Sequence, residues 1–292
     1  MKEEQITFLV QGAEYIQDSI NYTKILIETL RAKFSNSKII FSTWEGTNNI
    51  YPNDILIIKN TDPGPLNIEG AKFLNNFIRQ IKSTKIGIDF VETKYTIKLR
   101  SDVKIDANLL SNKIAELNIM DDKIFFFLES IPLRPFMFDD KIQLAKTESI
   151  KQLWNNRFLE NINENTILDL TKKFSHTKIF WFEKCNAYII SPEQVLLISF
   201  AQVNNYNINS ESLFYQIFTY LQFINNNFSI QTKTNFGFSS FKNSVNKSIF
   251  VNTYSFFLKI KFNLLLKSFL FYLLLHSSLF FENFKIRVNN LY

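Results

Sequence analysis

Two rhythms of apolar residues alternate along the first hundred positions. Ile6-Thr-Phe-Leu-Val10 is a short apolar run that ends at Gln11-Gly12, and Lys38-Ile-Ile-Phe-Ser42 is a second, ending in Thr43-Trp44-Glu45-Gly46. Asp54-Ile-Leu-Ile-Ile-Lys59 leads into Asn60-Thr-Asp-Pro-Gly-Pro65, and Tyr95-Thr-Ile-Lys-Leu99 closes on Arg100-Ser101-Asp102. Runs of this length bounded by turn residues predict strands. In the last of them the alternation of Tyr95, Ile97 and Leu99 predicts one buried face. Between these runs the spacing becomes helical: Ile20, Ile25, Ile27 and Leu30 within 18–33, and Phe77, Ile78, Ile81 and Ile88 within 75–90. Asp18 stands where the first helix would take its N-cap. Strands separated by helices predict an α/β fold with a mostly parallel sheet and right-handed crossovers.

The second half is more mixed. Lys123-Ile-Phe-Phe-Phe-Leu128 has strand length, and Pro132-Leu-Arg-Pro135 reads as an irregular connection into Phe136-Met-Phe-Asp-Asp140. A helix is predicted over 148–158, carrying Ile150, Leu153 and Trp154. Another starts at Ser191-Pro192, where serine suits the N-cap and proline the first helical position, and a further one covers 214–224. Past residue 225 the texture turns to Asn, Ser, Lys and Phe. The segment 249–260 is a candidate to return to the sheet. The greasy stretch 262–281 is interrupted by Lys267 and His276, and reads as a spanning helix, a helix on an anionic bilayer surface or a core helix. The expected division is therefore 1–225, a site-bearing domain, and 226–292, a basic and aromatic C-terminal segment.

Composition changes this picture in three ways. With 292 residues and 46% hydrophobic content, the chain can bury a sizeable core. The net charge of +6 is uneven. From residue 225 onward eight basic residues face one acid, so the tail carries +7 and the rest −1. A nucleic-acid-binding core would need its basic patch on the folded domain, so nucleic acid is not an expected partner. The single cysteine, Cys185, excludes an internal disulfide and suits a reducing compartment, and Cys/His zinc sites are excluded with only His176 and His276 present. The N-terminal apolar run is too short for a signal peptide core and reads as a buried strand.

Chemistry gathers at the strand ends. Gln11-Gly12, Trp44-Glu45, Asp62-Pro-Gly64 and Arg100-Ser-Asp102 follow successive strands, and ligand sites of open α/β sheets lie at that carboxyl edge. Each has a plain structural reading too. Gln-Gly and Asp-Pro-Gly are ordinary turns, Trp44 suits a core position, and Asp102 suits a turn. Lys98 and Arg100 are two apart and point to one face. They are diphosphate contacts if that face is open and structural residues if helices cover it. A Gly-rich dinucleotide turn is not supplied by Gln11-Gly-Ala-Glu14.

These motifs, together with Arg79-Gln-Ile-Lys-Ser-Thr84 and Gly87, resemble the WavE family of lipopolysaccharide synthesis proteins. The resemblance is close over residues 5–105 and looser through Phe136-Met-Phe-Asp-Asp140 and Ser191-Pro-Glu-Gln194. It implies a Rossmann-like fold of the glycosyltransferase A type with an acceptor-binding second half. It also implies a nucleotide-diphospho-sugar donor and a saccharide or lipid-linked acceptor. Gln11, Gly12, Trp44, Glu45, Asp62, Arg79 and Arg100 are then the expected donor contacts. Asp102 matches the carboxylate that holds a divalent cation, manganese or magnesium, against the diphosphate. Arg100, however, stands where the first acid of the usual Asp-x-Asp pair would be, which puts metal dependence in question. Asp140 and Glu193 are the candidates for the base that activates an acceptor hydroxyl, with Asp139 beside them, and Phe136 and Phe138 for a sugar platform. The expected protein is a cytoplasmic glycosyltransferase, peripheral on the inner face of the bacterial cytoplasmic membrane through its basic tail. The alternative is a non-catalytic scaffold in a polysaccharide assembly.

Overall fold

A computed structural model describes residues 1–66, 76–117, 122–128, 136, 138–160, 162–175, 191–207, 213–232 and 234–240. The chain divides into two units, Met1–Phe241 and Lys242–Tyr292, and the described residues lie in the first. The segments expected at 249–260 and 262–281, Pro132–Pro135 and Cys185 fall outside the described residues. Among those described, no helix is long and apolar enough to cross a membrane.

The elements run β1 (Ile6–Gln11), the short β2 (Ile16–Gln17) and β3 (Ile20–Asn21), α1 (Tyr22–Lys33), β4 (Lys38–Trp44) and β5 (Leu56–Asn60). They continue through α2 (Phe77–Asp89), β6 (Tyr95–Arg100), β7 (Val103–Ile105), α3 (Ala107–Glu116), β8 (Ile124–Leu128) and β9 (Ile142–Lys146). Then come α4 (Thr147–Trp154), α5 (Arg157–Glu160), α6 (Glu164–Ser175), α7 (Pro192–Val203), α8 (Leu213–Asn227), β10 (Phe228–Thr232) and β11 (Phe238–Ser240).

Seven strands form one sheet in the order β10-β8-β9-β6-β1-β4-β5. The pairs β6–β1, β1–β4, β4–β5 and β10–β8 are parallel, while β9 runs antiparallel to both β6 and β8. The mostly parallel sheet flanked by helices is thus as expected, with one reversed strand in its middle. That reversal matters, because β9 begins at the edge where β6 ends.

Both faces of the sheet are covered. Ile6, Phe8 and Val10 of β1 and Ile97 and Leu99 of β6 pack with Leu26, Ile27 and Leu30 of α1 and Leu110 and Ile114 of α3. On the other face Leu9 and Ile40 pack with Ile81 and Ile88 of α2, Leu153 and Trp154 of α4 and Val195 to Ile198 of α7. The expectation of one buried face for 95–99 is therefore corrected. As a central strand between β1 and β9, β6 is buried on both sides, and Thr96 and Lys98 are covered as fully as Ile97.

Local chemistry moved two predicted helix ends. Asn21, not Asp18, caps α1, its Oδ1 accepting from Lys24 N at 2.9 Å. Asp18 and Ser19 form instead the two-residue turn between β2 and β3, both with positive φ (51° and 64°), the twist a tight hairpin requires. The helix expected over 148–158 stops at Trp154. Asn156 Nδ2 then binds Leu153 O at 2.9 Å and its Oδ1 accepts from Phe158 N at 3.2 Å, starting α5. Helix α7 begins as expected. Ser191 Oγ accepts from Gln194 N (3.3 Å) and Gln194 Oε1 from Ser191 N (3.1 Å), a reciprocal cap with Pro192 next in the helix.

Gly87 lets α2 lie close on the sheet. A Cβ there would meet Leu9 Cδ1 at 2.5 Å and Ser42 Cβ at 2.9 Å, and both neighbours are buried strand residues. Overpacking costs roughly 1–3 kcal/mol and exceeds the gain of up to about 1 kcal/mol in helix propensity. Gly87→Ala is expected to lower the urea midpoint, and an unchanged or raised midpoint would contradict the close approach.

Candidate functional site

The candidate site is built where β6 leaves the sheet. Arg100 ends the strand, its amide donating to Lys141 O at 2.9 Å, and Ser101 N binds Gln11 O at 3.0 Å. Ser101 Oγ donates to Ala13 O at 2.5 Å, and Thr23 Oγ1 donates to Ser101 O at 3.0 Å. With the turn pinned from β1, α1 and the β9 start, the side chain of Asp102 folds back onto Arg100. Nε reaches Oδ1 at 3.1 Å and Nη2 reaches Oδ2 at 2.9 Å. This two-pronged pairing is the strong form of an arginine–carboxylate contact. Asp102 is 4% exposed, whereas the Arg100 side chain keeps 30% of its surface open. Burial opposes the guanidinium's charge, but Asp102, Asp140 and Asp139 outweigh it and hold the Arg100 pKa above its ordinary value.

Lys98, two residues earlier on the same face, is fully buried. Its Nζ donates to the main-chain oxygen of Asp140 at 2.5 Å and lies 4.7 Å from the centre of the Trp154 ring. Trp154 is fixed in turn, its Nε1 donating to Gln143 Oε1 of β9 at 2.7 Å. Burial lowers the Lys98 pKa to about 8, Asp140 pulling it upward and Arg100 pushing it further down. Helix α4 therefore covers Lys98, which settles its reading: it is a structural member of the cluster, not a group facing ligand.

The antiparallel β9 delivers the acids. Asp139 and Asp140 stand just before it, at the β6 carboxyl end. Asp139 Oδ1 accepts from Lys141 N at 3.0 Å, with Lys141 Nζ 3.6 Å from its Oδ2. Asp140 is 3% exposed, and its Oδ1 lies 4.0 Å from Arg100 Nη1. Glu193 approaches from the first turn of α7. Burial first, then the negative charge of Asp140, raises its pKa to about 7, against the lowering effect of its own amide and of Ser191. Arg100, Asp102 and Asp140 are thus brought together, and Glu193 lies within reach of the charge of Asp140.

The remaining candidates lie further along the same edge. Gln11 is buried, its Oε1 accepting from Ser83 Oγ of α2 at 2.8 Å. Gly12 has a φ of 115° and binds Ser42 O through its amide at 3.0 Å. Trp44 is half-buried at the last position of β4. Glu45 is exposed, its Oε1 accepting from Thr61 Oγ1 at 3.2 Å. Asp62 and Arg79 were expected to touch a ligand separately but hold each other, Nε–Oδ1 and Nη2–Oδ2 both at 2.7 Å. The hydrogen bond from Arg79 keeps the Asp62 carboxyl below its ordinary value. Adjacent strands lie about 4.8 Å apart, so β4 stands roughly 10 Å and β5 roughly 14 Å from β6. The edge therefore offers an inner charged set and an outer Asp62–Arg79 pair, with Gln11 and Gly12 between. Phe136 and Phe138 are a correction. Both are buried at 2% exposure and pack with Phe126, Tyr220, Phe223 and Phe228, so they cannot form a sugar platform.

Whether Asp102 suits a divalent cation is decided by its partners. Both of its oxygens accept from Arg100. An added cation about 4 Å from the guanidinium would be repelled by about 4 kcal/mol per unit charge at an effective dielectric near 20. Among the described residues no group of three His, Cys, Asp or Glu is arranged to hold a metal ion. The residues present do not fit the expected cation while the fork is made.

Sequence reasoning missed Lys141, Gln143 and Trp154 as members of this set. The usable signal was Lys98 itself, a lysine in the middle of an apolar run on a central strand.

The family model described as WavE lipopolysaccharide synthesis matches residues 6–288. No curated protein matches the chain in sequence. Among solved structures it is similar to the galactosyltransferase LgtC in complex with donor and acceptor sugar analogs. There the identity is 11% and the TM-score 0.37, covering 66% of this chain and 69% of that one. A glycosyltransferase involved in glycosylation of the major capsid of PBCV-1 is 17% identical with a TM-score of 0.31, covering 56% and 73%. A cytidylyltransferase from Leptospira borgpetersenii is 11% identical with a TM-score of 0.33, covering 51% of this chain and 63% of that one.

Two titrations of opposite sign follow. Glu193 has a folded pKa of about 7 against an ordinary value of 4.5. Its contribution to stability is full below pH 4.5 and is lost as pH rises through about 7. Lys98 has a folded pKa of about 8 against 10.5, so the cost of burying its charge is relieved as pH rises between those values. The size of the Lys98 effect is about 3 kcal/mol. Denaturation across pH is expected to show a falling limb that Glu193→Gln removes and a rising limb that Lys98→Met removes. Profiles unchanged by either substitution would contradict the buried cluster.

Proposed function

The chain belongs to the WavE lipopolysaccharide synthesis family, and from that premise we propose that it is a glycosyltransferase moving a sugar from a nucleotide-diphospho-sugar to a lipopolysaccharide or other surface-polysaccharide acceptor. The observation that carries this reading is a partly open guanidinium oriented by Asp102 at the carboxyl edge of the sheet, 4.0 Å from the buried Asp140, whose charge helps raise the pKa of the half-buried Glu193. The fork of Arg100 suits diphosphate oxygens. The Gln11-Gly12 turn lies beside it, Gln11 pairing with Arg100 between β1 and β6, and Trp44 and Glu45, two strands away at roughly 10 Å, suit contact with the nucleoside. The Asp62–Arg79 pair bounds the outer end.

Glu193 is the base in this reading. Its carboxylate takes the proton of an acceptor hydroxyl as that oxygen bonds to the anomeric carbon. The bond from that carbon to the donor diphosphate breaks, and the nucleoside diphosphate leaves with the electron pair. A base works best with a pKa near the working pH, which burial and Asp140 give Glu193. The basic residues beyond 225 suit contact with anionic lipid, which supports work on a lipid-linked acceptor at the inner face of the cytoplasmic membrane by the segment 226–292.

A second reading, a non-catalytic scaffold, draws on the replacement of the first strand-end acid by Arg100 and the pairing of that arginine with Asp102.

Transfer assays with UDP-, GDP- and CMP-sugars and a lipopolysaccharide acceptor separate the two. Activity is expected to rise with pH through about 7 as Glu193 loses its proton, and Glu193→Gln is expected to lower kcat by about 10²–10⁴. Binding of no nucleotide sugar by the folded protein would abandon the enzyme reading. Full activity in the variant would remove Glu193 from the base role.

A further inference from the structure

We infer that the Arg100 guanidinium, held by Asp102, supplies the positive charge at the donor diphosphate, so that this chain binds its donor without a divalent cation. The inference rests on the donor-site reading above and deepens it. Three observations carry it.

First, both oxygens of Asp102 already face a cation. Its oxygens lie 3.1 and 2.9 Å from two nitrogens of one guanidinium, and it is 4% exposed. A dication there would have to share those oxygens with the guanidinium, whose positive charge repels it. Second, the other acids nearby also stand among cations. Asp139 accepts from the Lys141 amide and faces its ammonium at 3.6 Å. Asp140 lies between Arg100 Nη1 at 4.0 Å and Lys98, which binds its main chain. Three cations, Lys98, Arg100 and Lys141, thus interleave with three carboxylates, Asp102, Asp139 and Asp140, while burial and Asp140 hold the neighbouring Glu193 toward its neutral form. A site for a bare dication would instead leave acids unbalanced.

Third, Arg100 keeps donors to give. Nε and Nη2 serve Asp102, while Nη1 stands 4.0 Å from Asp140 Oδ1, beyond hydrogen-bond reach. The side chain is 30% open at the edge. An arginine fixed on one side by a carboxylate presents its remaining N–H groups in a set plane, which matches phosphate oxygens. Asp102 is on this account a positioning residue: it acts through Arg100 and touches no substrate.

The test uses the full chain with UDP and GDP as probes, titrated calorimetrically in EDTA and again in manganese. Kd is expected to agree within about twofold between the two buffers. Arg100→Gln should weaken binding about tenfold or more in both. Arg100→Lys, which keeps the charge and loses the fork, should recover only part of it. A manganese titration followed by electron paramagnetic resonance reads the metal directly, and no stoichiometric site sensitive to Asp102→Asn is expected. Nucleotide binding that appears only with manganese, or a manganese site that Asp102→Asn abolishes, would overturn the inference. Failure of the folded wild-type chain to bind either nucleotide in both buffers would overturn the donor-site reading itself, and this inference with it.

Discussion

An ammonium group buried in the middle of a sheet is tolerated only where its surroundings repay the lost water. Lys98 is such a group, and its partners tie three elements together: the Asp140 carbonyl before β9, the Trp154 ring of α4, and the acids at the end of β6. Because the lysine can be neither solvated nor moved, the turn carrying Asp139 and Asp140 is held at a set height against β6. Arg100 then meets Asp140 on one side and Asp102 on the other. The site is the visible end of that constraint.

Topology makes the constraint possible. Parallel strands β6, β1, β4 and β5 all finish at one edge, which alone would gather loops but few opposed charges. The reversed β9 brings its first residues to that same edge, and α7 adds the acid of its first turn. Aromatic packing supports the far side, where Phe126, Phe138 and Phe228 lie ring against ring beneath the strand ends. Acids from two directions thus converge on cations carried by one strand.

Much of this was legible in the residues. The runs 6–10, 38–42, 95–99 and 123–128 were legible as strands because they are short, mainly apolar and bounded by turn residues, although the burial of both faces of 95–99 depends on β9, which the run itself does not show. The Ser191-Pro192 start of α7 was legible because its cap is made by residues three apart. What escaped depends on contacts distant in sequence. Strand β9 carries Gln143 at a fully buried position, which reads as polar until Trp154 Nε1 is seen to occupy its oxygen. Phe136 and Phe138 looked available to a ligand because nothing local shows that α8 and β10 cover them. Asp62 and Arg79 are 17 residues apart, and only the fold reveals that each is the other's partner. Asp18 was misread as a cap because the next acceptor, Asn21, competes for the same helix and a hairpin turn prefers the aspartate.

The most direct test of the central claim is a crystal structure of the full chain grown with a nucleoside diphosphate. The account predicts diphosphate oxygens within hydrogen-bond distance of the Arg100 guanidinium, with the Asp102 fork intact and Lys98 still covered by Trp154. Nucleotide seated away from the end of β6, or phosphates joined to Asp102 through a metal ion, would contradict it.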